Sequence, residues 1–305
     1  MPALELSLTE PAQTLFARTA PALAEWLPPI LPPGGAWCIG GGTILAAQWR
    51  HRLSTDVDVF VPGHASMAAL SPEWDTQFVN VMQSLGANHV AVQARSLKFT
   101  FPSGRVEITA LDPTPPLEPQ HATVDGREVR ILPNVCILAG KIAGRGMRMP
   151  SRDVFDICVA RERDPLALMG AINHVSAPMR AEIIARLIEG ERRYLANAPE
   201  EVPVPAQQWR RLLSDAPREA AKILTDCAYV KVGLAYADQS ASVDVENQTG
   251  ERASSRFGTP KALLDGLLGM GLEQWVLGNY RVTEAFLAEA QREFDAMRGA
   301  GNRQR

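Results

Sequence analysis

The chain has 305 residues, 46% hydrophobic and 21% charged, with a net charge of −3. That gives room for two domains with separate cores and an ordinary soluble composition; it gives no overall basic field of the kind that attracts nucleic acid, although a local patch would suffice for an RNA partner. No apolar run reaches the ~18 residues of a membrane span, the opening MPALELSLTE lacks the basic and apolar regions of an export signal, and Cys38, Cys136, Cys158 and Cys227 form no CxxC pair. Structural zinc and a membrane partner are thereby disfavoured, and the expectation is a cytoplasmic protein with reduced, buried thiols.

In chain order, Ser7-Leu8-Thr9-Glu10 reads as a capping box that opens a helix running to Trp26. A Pro/Gly-rich stretch from Pro28 to Gly35 ends it. A strand-like run, Ala36 to Ile39, breaks at Gly40, Gly41 and Gly42, and a helix-like segment follows from Thr43 to Trp49. Asp56 to Phe60 alternates acid and apolar, as a half-buried strand does. Helical spacing returns from Pro72 to Gly86 (Phe78, Val79, Met82, Leu85). Three strand-like runs come next, His89 to Ala94, Leu97 to Phe101 and Val106 to Leu111; the last two flank a Pro102-Ser103-Gly104 turn. Val124 to Val129 predicts a further hairpin around Asp125-Gly126.

After Pro133 the texture becomes helical, with predicted helices over Asn134 to Ala143, Ser151 to Glu162, Pro165 to Asn173, Pro178 to Ala196, Pro217 to Ala237 and Leu272 to Met297. Asn197 to Pro205 reads as a linker and Asp238 to Pro260 as a polar loop. Composition thus divides the chain into an α/β domain over 1–133 and a mainly helical domain over 134–305.

The most informative stretch is Cys38 to Val61, CIGGGTILAAQWRHRLSTDVDVFV. Strand side chains repeat with period two, so Asp56 and Asp58 project from one face. Paired carboxylates repel unless a cation neutralises them, and hard oxygen ligands suit Mg²⁺. The glycines permit close backbone approach to a ligand, and the helix N-terminus that follows offers N–H groups and a positive dipole end to an anion. A Gly-Gly turn or a D-x-D alone is most often a tight turn or a solvated edge. Their order, strand–turn–helix–turn–strand, with Thr43 to Thr55 between Gly42 and Asp56, is what makes the combination specific.

That combination resembles the first motif of the polymerase-β-like nucleotidyltransferase superfamily. More narrowly, GGT-I-L-A and HRLS-x-D-V-D-V-F are similar to the GGTALAL…HRxSxDxDLF pattern of the AbiEii/AbiGii nucleotidyltransferase toxins of bacterial type IV toxin–antitoxin systems, with Ile44 where alanine is commoner. The resemblance spans residues 36–160. It implies an α+β fold: a polymerase-β-like domain, a mixed sheet with flanking helices, followed by a helical domain. It also implies two Mg²⁺ (or Mn²⁺), an NTP substrate, a tRNA acceptor as in some relatives, and a cognate antitoxin.

Transfer assisted by two metals gains from a third carboxylate on a neighbouring strand. Glu107, in Arg105-Val106-Glu107-Ile108-Thr109, is the candidate, because the resemblance places hydrophobic–acid–hydrophobic there; a lone strand acid otherwise faces solvent. Asp112 is the fallback. The second informative segment, 135–160, carries Lys141 on an apolar helix, then Arg145, Arg148, Arg152, Asp153 and Asp156. Such a charge run is usually a solvated helix face, while a lysine suits a triphosphate. The resemblance matches Lys141, Arg148, Arg152, Asp153 and Asp156 to the family's K…R…RDxxD. It gives Lys141 to the nucleotide phosphates and leaves open which of Asp153 and Asp156 completes the site.

On this reading Asp56, Asp58 and Glu107 hold the metals, Glu107 activates the acceptor hydroxyl, Gly41, Gly42 and Thr43 cradle phosphates, and Arg148 and Asp153 join Lys141 at the nucleotide. His51 is either a general base or a structural turn residue, and Arg52 pins the aspartates. Trp209, Trp275 and Tyr280 fit a core better than a base-stacking platform. The favoured function is a Mg²⁺-dependent nucleotidyltransferase of toxin type. The alternatives are a small-molecule nucleotidyltransferase and a nucleotide-binding regulator without turnover.

Overall fold

The computed structural model describes residues 4–31, 35–63, 72–93, 95–111, 117–144, 149–272 and 283–302. Asp112, Arg145, Arg148, Trp275 and Tyr280 therefore lie outside the described residues. Two compact units divide the chain: Met1–Pro113, Glu118–Pro133 and Asn197–Leu213 form one, and Thr114–Leu117, Asn134–Ala196 and Ser214–Arg305 the other.

The first unit is built on an eight-stranded mixed sheet. Its strands are β1 (Leu4–Leu6), β2 (Cys38–Gly40), β3 (Asp56–Val61), β4 (His89–Gln93), β5 (Ser96–Phe101), β6 (Gly104–Ala110), β7 (Gln120–Val124) and β8 (Arg127–Ile131). They lie in the order β1-β7-β8-β2-β3-β6-β5-β4. β3 runs parallel to β6 and antiparallel to β2, and β5 returns antiparallel on β6. Alternation sorts these strands into two faces. Val57, Val59, Val61, Leu97, Phe99, Phe101, Val106, Ile108 and Ala110 are buried on one. Helices α1 (Ala12–Trp26) and α3 (Pro72–Ser84) cover that face, and Phe78 meets Phe99 edge-on, with ring centroids 5.3 Å apart. Fully buried side chains such as Phe16, Phe78 and Phe99 stabilise the fold by roughly 1.5–3 kcal/mol each. The same alternation leaves Asp56, Asp58, Arg105, Glu107 and Lys98 on the opposite, partly open face.

Both expected hairpins form. Asp125 and Gly126 take positive φ (48° and 76°), the pair that a two-residue turn matched to strand twist requires. The capping box does not form. α1 starts at Ala12 after Pro11, and the Thr9 hydroxyl accepts a hydrogen bond from the Ser54 amide (3.1 Å). Glu10 accepts from the Thr14 hydroxyl at 2.8 Å.

The second unit begins with α4 (Asn134–Ala139), a π-helical turn over Gly140–Gly144, α5 (Ser151–Arg163) and α6 (Pro165–Asn173). The helix expected from Pro178 to Ala196 is two, α7 (Ala177–Glu189) and α8 (Glu191–Glu201), broken at Gly190. The linker expected from Asn197 to Pro205 begins as the last turn of α8, and 197–213 belongs to the first unit.

Composition misleads most between 217 and 260. The helix there, α9 (Leu212–Asp226), ends early, and β9 (Tyr229–Ala237), β10 (Ser240–Asn247) and β11 (Arg252–Phe257) form an antiparallel sheet where helix and loop were expected. The cause is legible afterwards: Ala241, Val243 and Val245 alternate with polar residues and are buried, while Ser242, Asp244 and Glu246 lie on the other face. Val243, Val245, α10 (Pro260–Gly269, through Leu263 and Leu267) and α11 (Thr283–Asn302, through Phe286 and Phe294) enclose a separate core. The C-terminal half is rich in helix, as expected, but also carries this three-stranded antiparallel sheet, which was not. Among the described residues no helix is long and apolar enough to cross a membrane.

Candidate active site

The glycine turn passes directly from β2 into α2 (Gly41–Trp49), with no side-chain cap at its N-terminus. Gly41 sits at φ +68°, and a Cβ built on it would lie 1.9 Å from Oδ2 of Asp58. The Asp58 carboxylate therefore rests against the floor of the turn, where only glycine leaves space. Strand register extends this contact into a row across four strands: Gly40 pairs with Asp58, Asp58 with Glu107, and Glu107 with Lys98. Asp56 pairs with Arg105 in the adjacent row.

The acids do not stand alone. Arg105 Nη2 lies 3.0 Å from Asp56 and its Nε 3.8 Å from Glu107, while Lys98 Nζ lies 3.5 Å from Glu107. Neither cation was picked out from the sequence, yet both were readable: Arg105 is two residues from Glu107 on one strand, and the two-residue Pro102-Ser103 loop sets Lys98 opposite Glu107.

Thr43 is buried, and its hydroxyl bonds to Ser54 Oγ (2.8 Å) and to the Asp56 carbonyl (2.5 Å). Ser54 in turn donates its amide to Thr9. The GGT and HRLS segments thus lock together and fix where β3 begins. His51 is fully buried beside Trp49, its carbonyl accepts from the Ala206 amide (2.9 Å), and Arg52 is buried and donates to the Leu53 carbonyl (2.9 Å). Burial favours the structural reading of His51 over the general base. Trp209 is likewise buried.

Lys141, Asp153 and Asp156 belong to the second unit. Lys141, in the π-helical turn, bonds to Asp153 and lies 2.9 Å from Asp156. Both aspartates are at most 1% exposed, so they are no solvated helix face. The lysine reaches both acids at once.

Whether the Asp56, Asp58 and Glu107 face fits a divalent ion turns on its donors. Hard carboxylate oxygens, partial burial and a glycine floor suit Mg²⁺. Among the described residues no three His, Cys, Asp or Glu side chains are gathered closely enough to hold a metal, and Arg105 and Lys98 pair with Asp56 and Glu107. The donor set fits in its chemistry.

A glycine turn opening a helix, joined through strand register to a face of acids, is the arrangement expected of a nucleotidyltransferase, and the family comparison gives the same class. A family model described as "Nucleotidyl transferase AbiEii toxin, Type IV TA system" matches residues 31–230, more than half of the chain. The chain belongs to this AbiEii family of nucleotidyltransferase toxins, and the match takes in the 197–213 segment as well as the motifs. No curated protein sequence matches it. Among solved structures, the chain is similar to a putative nucleotidyltransferase from Helicobacter pylori (14% identity, 70% of this chain and 91% of that one, TM-score 0.40). It is also similar to JHP933 from Helicobacter pylori (14% identity, 71% and 91%, TM-score 0.39). A third likeness is to the antibiotic-resistance factor ANT(2'')-Ia (14% identity, 59% and 95%, TM-score 0.35).

Proposed function

We propose that this chain transfers a nucleoside monophosphate from an NTP to an acceptor hydroxyl on the open face of β3 and β6. The observation that carries the reading is the Asp58 carboxylate, which rests on Gly41 of the turn and is registered beside Glu107. The N-terminus of α2 and the Asp58 carboxylate share one spot, so a phosphate arriving there meets an anion as well as a positive dipole end. A cation between them resolves that conflict.

Asp56, Asp58 and Glu107 would hold two Mg²⁺, with Mn²⁺ as a substitute. Bound divalent cations would neutralise charge on the phosphates and make the acceptor hydroxyl more acidic. Glu107 takes the proton from that hydroxyl, whose oxygen bonds to the α-phosphorus as the bond to the β-phosphate breaks and pyrophosphate leaves. The backbone N–H groups of Gly41, Gly42 and Thr43 orient the phosphates; the Thr43 hydroxyl is occupied by Ser54 and Asp56 and contributes only position. By the family pattern Lys141 and Arg148 would serve the nucleotide phosphates and one of Asp153 and Asp156 would complete the set. Family membership supports an antitoxin partner, and tRNA is the acceptor class proposed.

Purified protein, each of the four labelled NTPs and total bacterial RNA test the reading. Label should enter a small RNA with release of pyrophosphate, stop with EDTA, and stop in Asp58→Asn. Nucleotide binding without incorporation into RNA, protein or small molecules would replace this reading with that of a regulator.

A further inference from the structure

We propose that Arg105 is the built-in counter-ion of the carboxylate face, and that a divalent cation binds there by displacing it. The inference rests on reading Asp56, Asp58 and Glu107 as a metal seat.

Period two puts Arg105 on the same face of β6 as Glu107, and strand register sets it opposite Asp56. Its guanidinium lies between the two acids, bonded through Nη2 to Asp56 at 3.0 Å. The Nε, 3.8 Å from Glu107, is beyond hydrogen-bond reach; it is buried and has no hydrogen-bond partner. A planar fork can satisfy two carboxylates at once, and here it satisfies one. The arrangement holds the acids against mutual repulsion without closing on them. Lys98, 3.5 Å from Glu107, does the same from β5.

Side-chain exposures of 28% for Arg105 and 13% for Asp56 place this pair where solvent screening is incomplete. A cation entering the seat must take the Asp56 oxygen from Arg105 and overcome the repulsion of two fixed positive charges. Arg105 therefore weakens metal binding in the absence of nucleotide while stabilising the metal-free fold.

The test is Mn²⁺ titration of the full chain without nucleotide, by calorimetry or electron paramagnetic resonance, in wild type, Arg105→Gln, Lys98→Gln and Asp58→Asn. Arg105→Gln is expected to bind Mn²⁺ about three- to tenfold more tightly than wild type, Lys98→Gln more tightly by a smaller factor, and Asp58→Asn more weakly. In EDTA, Arg105→Gln should melt below wild type, and saturating Mn²⁺ should erase the difference. Unchanged or weaker Mn²⁺ binding in Arg105→Gln with a native circular dichroism spectrum overturns the proposal, as does a melting deficit that Mn²⁺ leaves in place. Should Arg105→Gln not fold, the direction of the change in Lys98→Gln decides. No Mn²⁺ binding by wild type overturns both this inference and the reading of the site; binding without tightening in the variants overturns this inference alone.

Discussion

Asp58 fills the volume that a side chain at Gly41 would need, with Oδ2 1.9 Å from the position of a Cβ there. Gly41→Ala must therefore push the carboxylate off the turn and also hold an alanine at φ +68°, where an L side chain costs about 1–2 kcal/mol. Initial-rate assays should show transfer reduced at least ~100-fold, equivalent to about 2.7 kcal/mol of activation free energy, with only a modest fall in melting temperature. Wild-type rates in Gly41→Ala would separate the turn from the chemistry.

Thr43 makes a second prediction, about stability. Thr43→Val keeps the shape and removes the hydroxyl that joins Ser54 to the Asp56 carbonyl. Urea unfolding should show a loss of about 1–3 kcal/mol, because buried polar partners lose their bond. Thr43→Ser should restore most of it. A valine variant as stable as wild type would mean that the hydroxyl does not hold the strand.

The shared strand face of Asp56 and Asp58 and the Asp125-Gly126 hairpin were legible because strand period and short turns act locally, needing nothing beyond their neighbours in sequence. Glu107 needed the family pattern, since a lone acid on a strand carries no signal of its own. What failed depended on distant partners. Nothing near Thr9 reveals that its hydroxyl serves Ser54, 45 residues away, and nothing near Lys141 reveals two acids 12 and 15 residues on folding back over it. The sheet from Tyr229 to Phe257 was missed because its outer face is rich in Ser, Asp, Glu and Arg. Average polarity hid a period-two pattern.

Lys141 supplies a third prediction. Replacing it with methionine removes the buried ammonium that bonds Asp153 and lies 2.9 Å from Asp156; losing one member of a buried pair costs about 3–5 kcal/mol. Thermal melts of Lys141→Met should show that loss. The triple variant with Asp153→Asn and Asp156→Asn should recover a large part of it. If Lys141→Met melts like wild type, the trio is not a structural element, and any fall in activity belongs to the phosphates directly.

A pH-dependent contribution lies in the second unit, where Arg161 bonds to Glu251 at 2.5 Å. That bond, with help from Asn247, holds the Glu251 carboxyl below its ordinary value. A depressed carboxyl adds stability above its unfolded-state value, and the contribution disappears as pH falls through the folded one. Glu251→Gln should therefore melt slightly below wild type at neutral pH, by on the order of 1–2 °C for a half-exposed pair. The two curves should converge in acid. A gap that widens on acidification would contradict the assignment.

The HRLS turn is closed by backbone bonds to the 197–213 segment: Leu53 donates to Pro203 (3.0 Å) and Ala206 donates to His51 (2.9 Å). Those partners emerge from a ribosome about 150 residues after the turn itself, a delay on the order of ten seconds at ordinary elongation rates. The catalytic unit is consequently finished late in synthesis, after most of the chain has been translated. A nascent or prematurely terminated polypeptide ending before residue 197 lacks the closing segment, so the order of translation itself leaves the HRLS turn open until the 197–213 segment has been made.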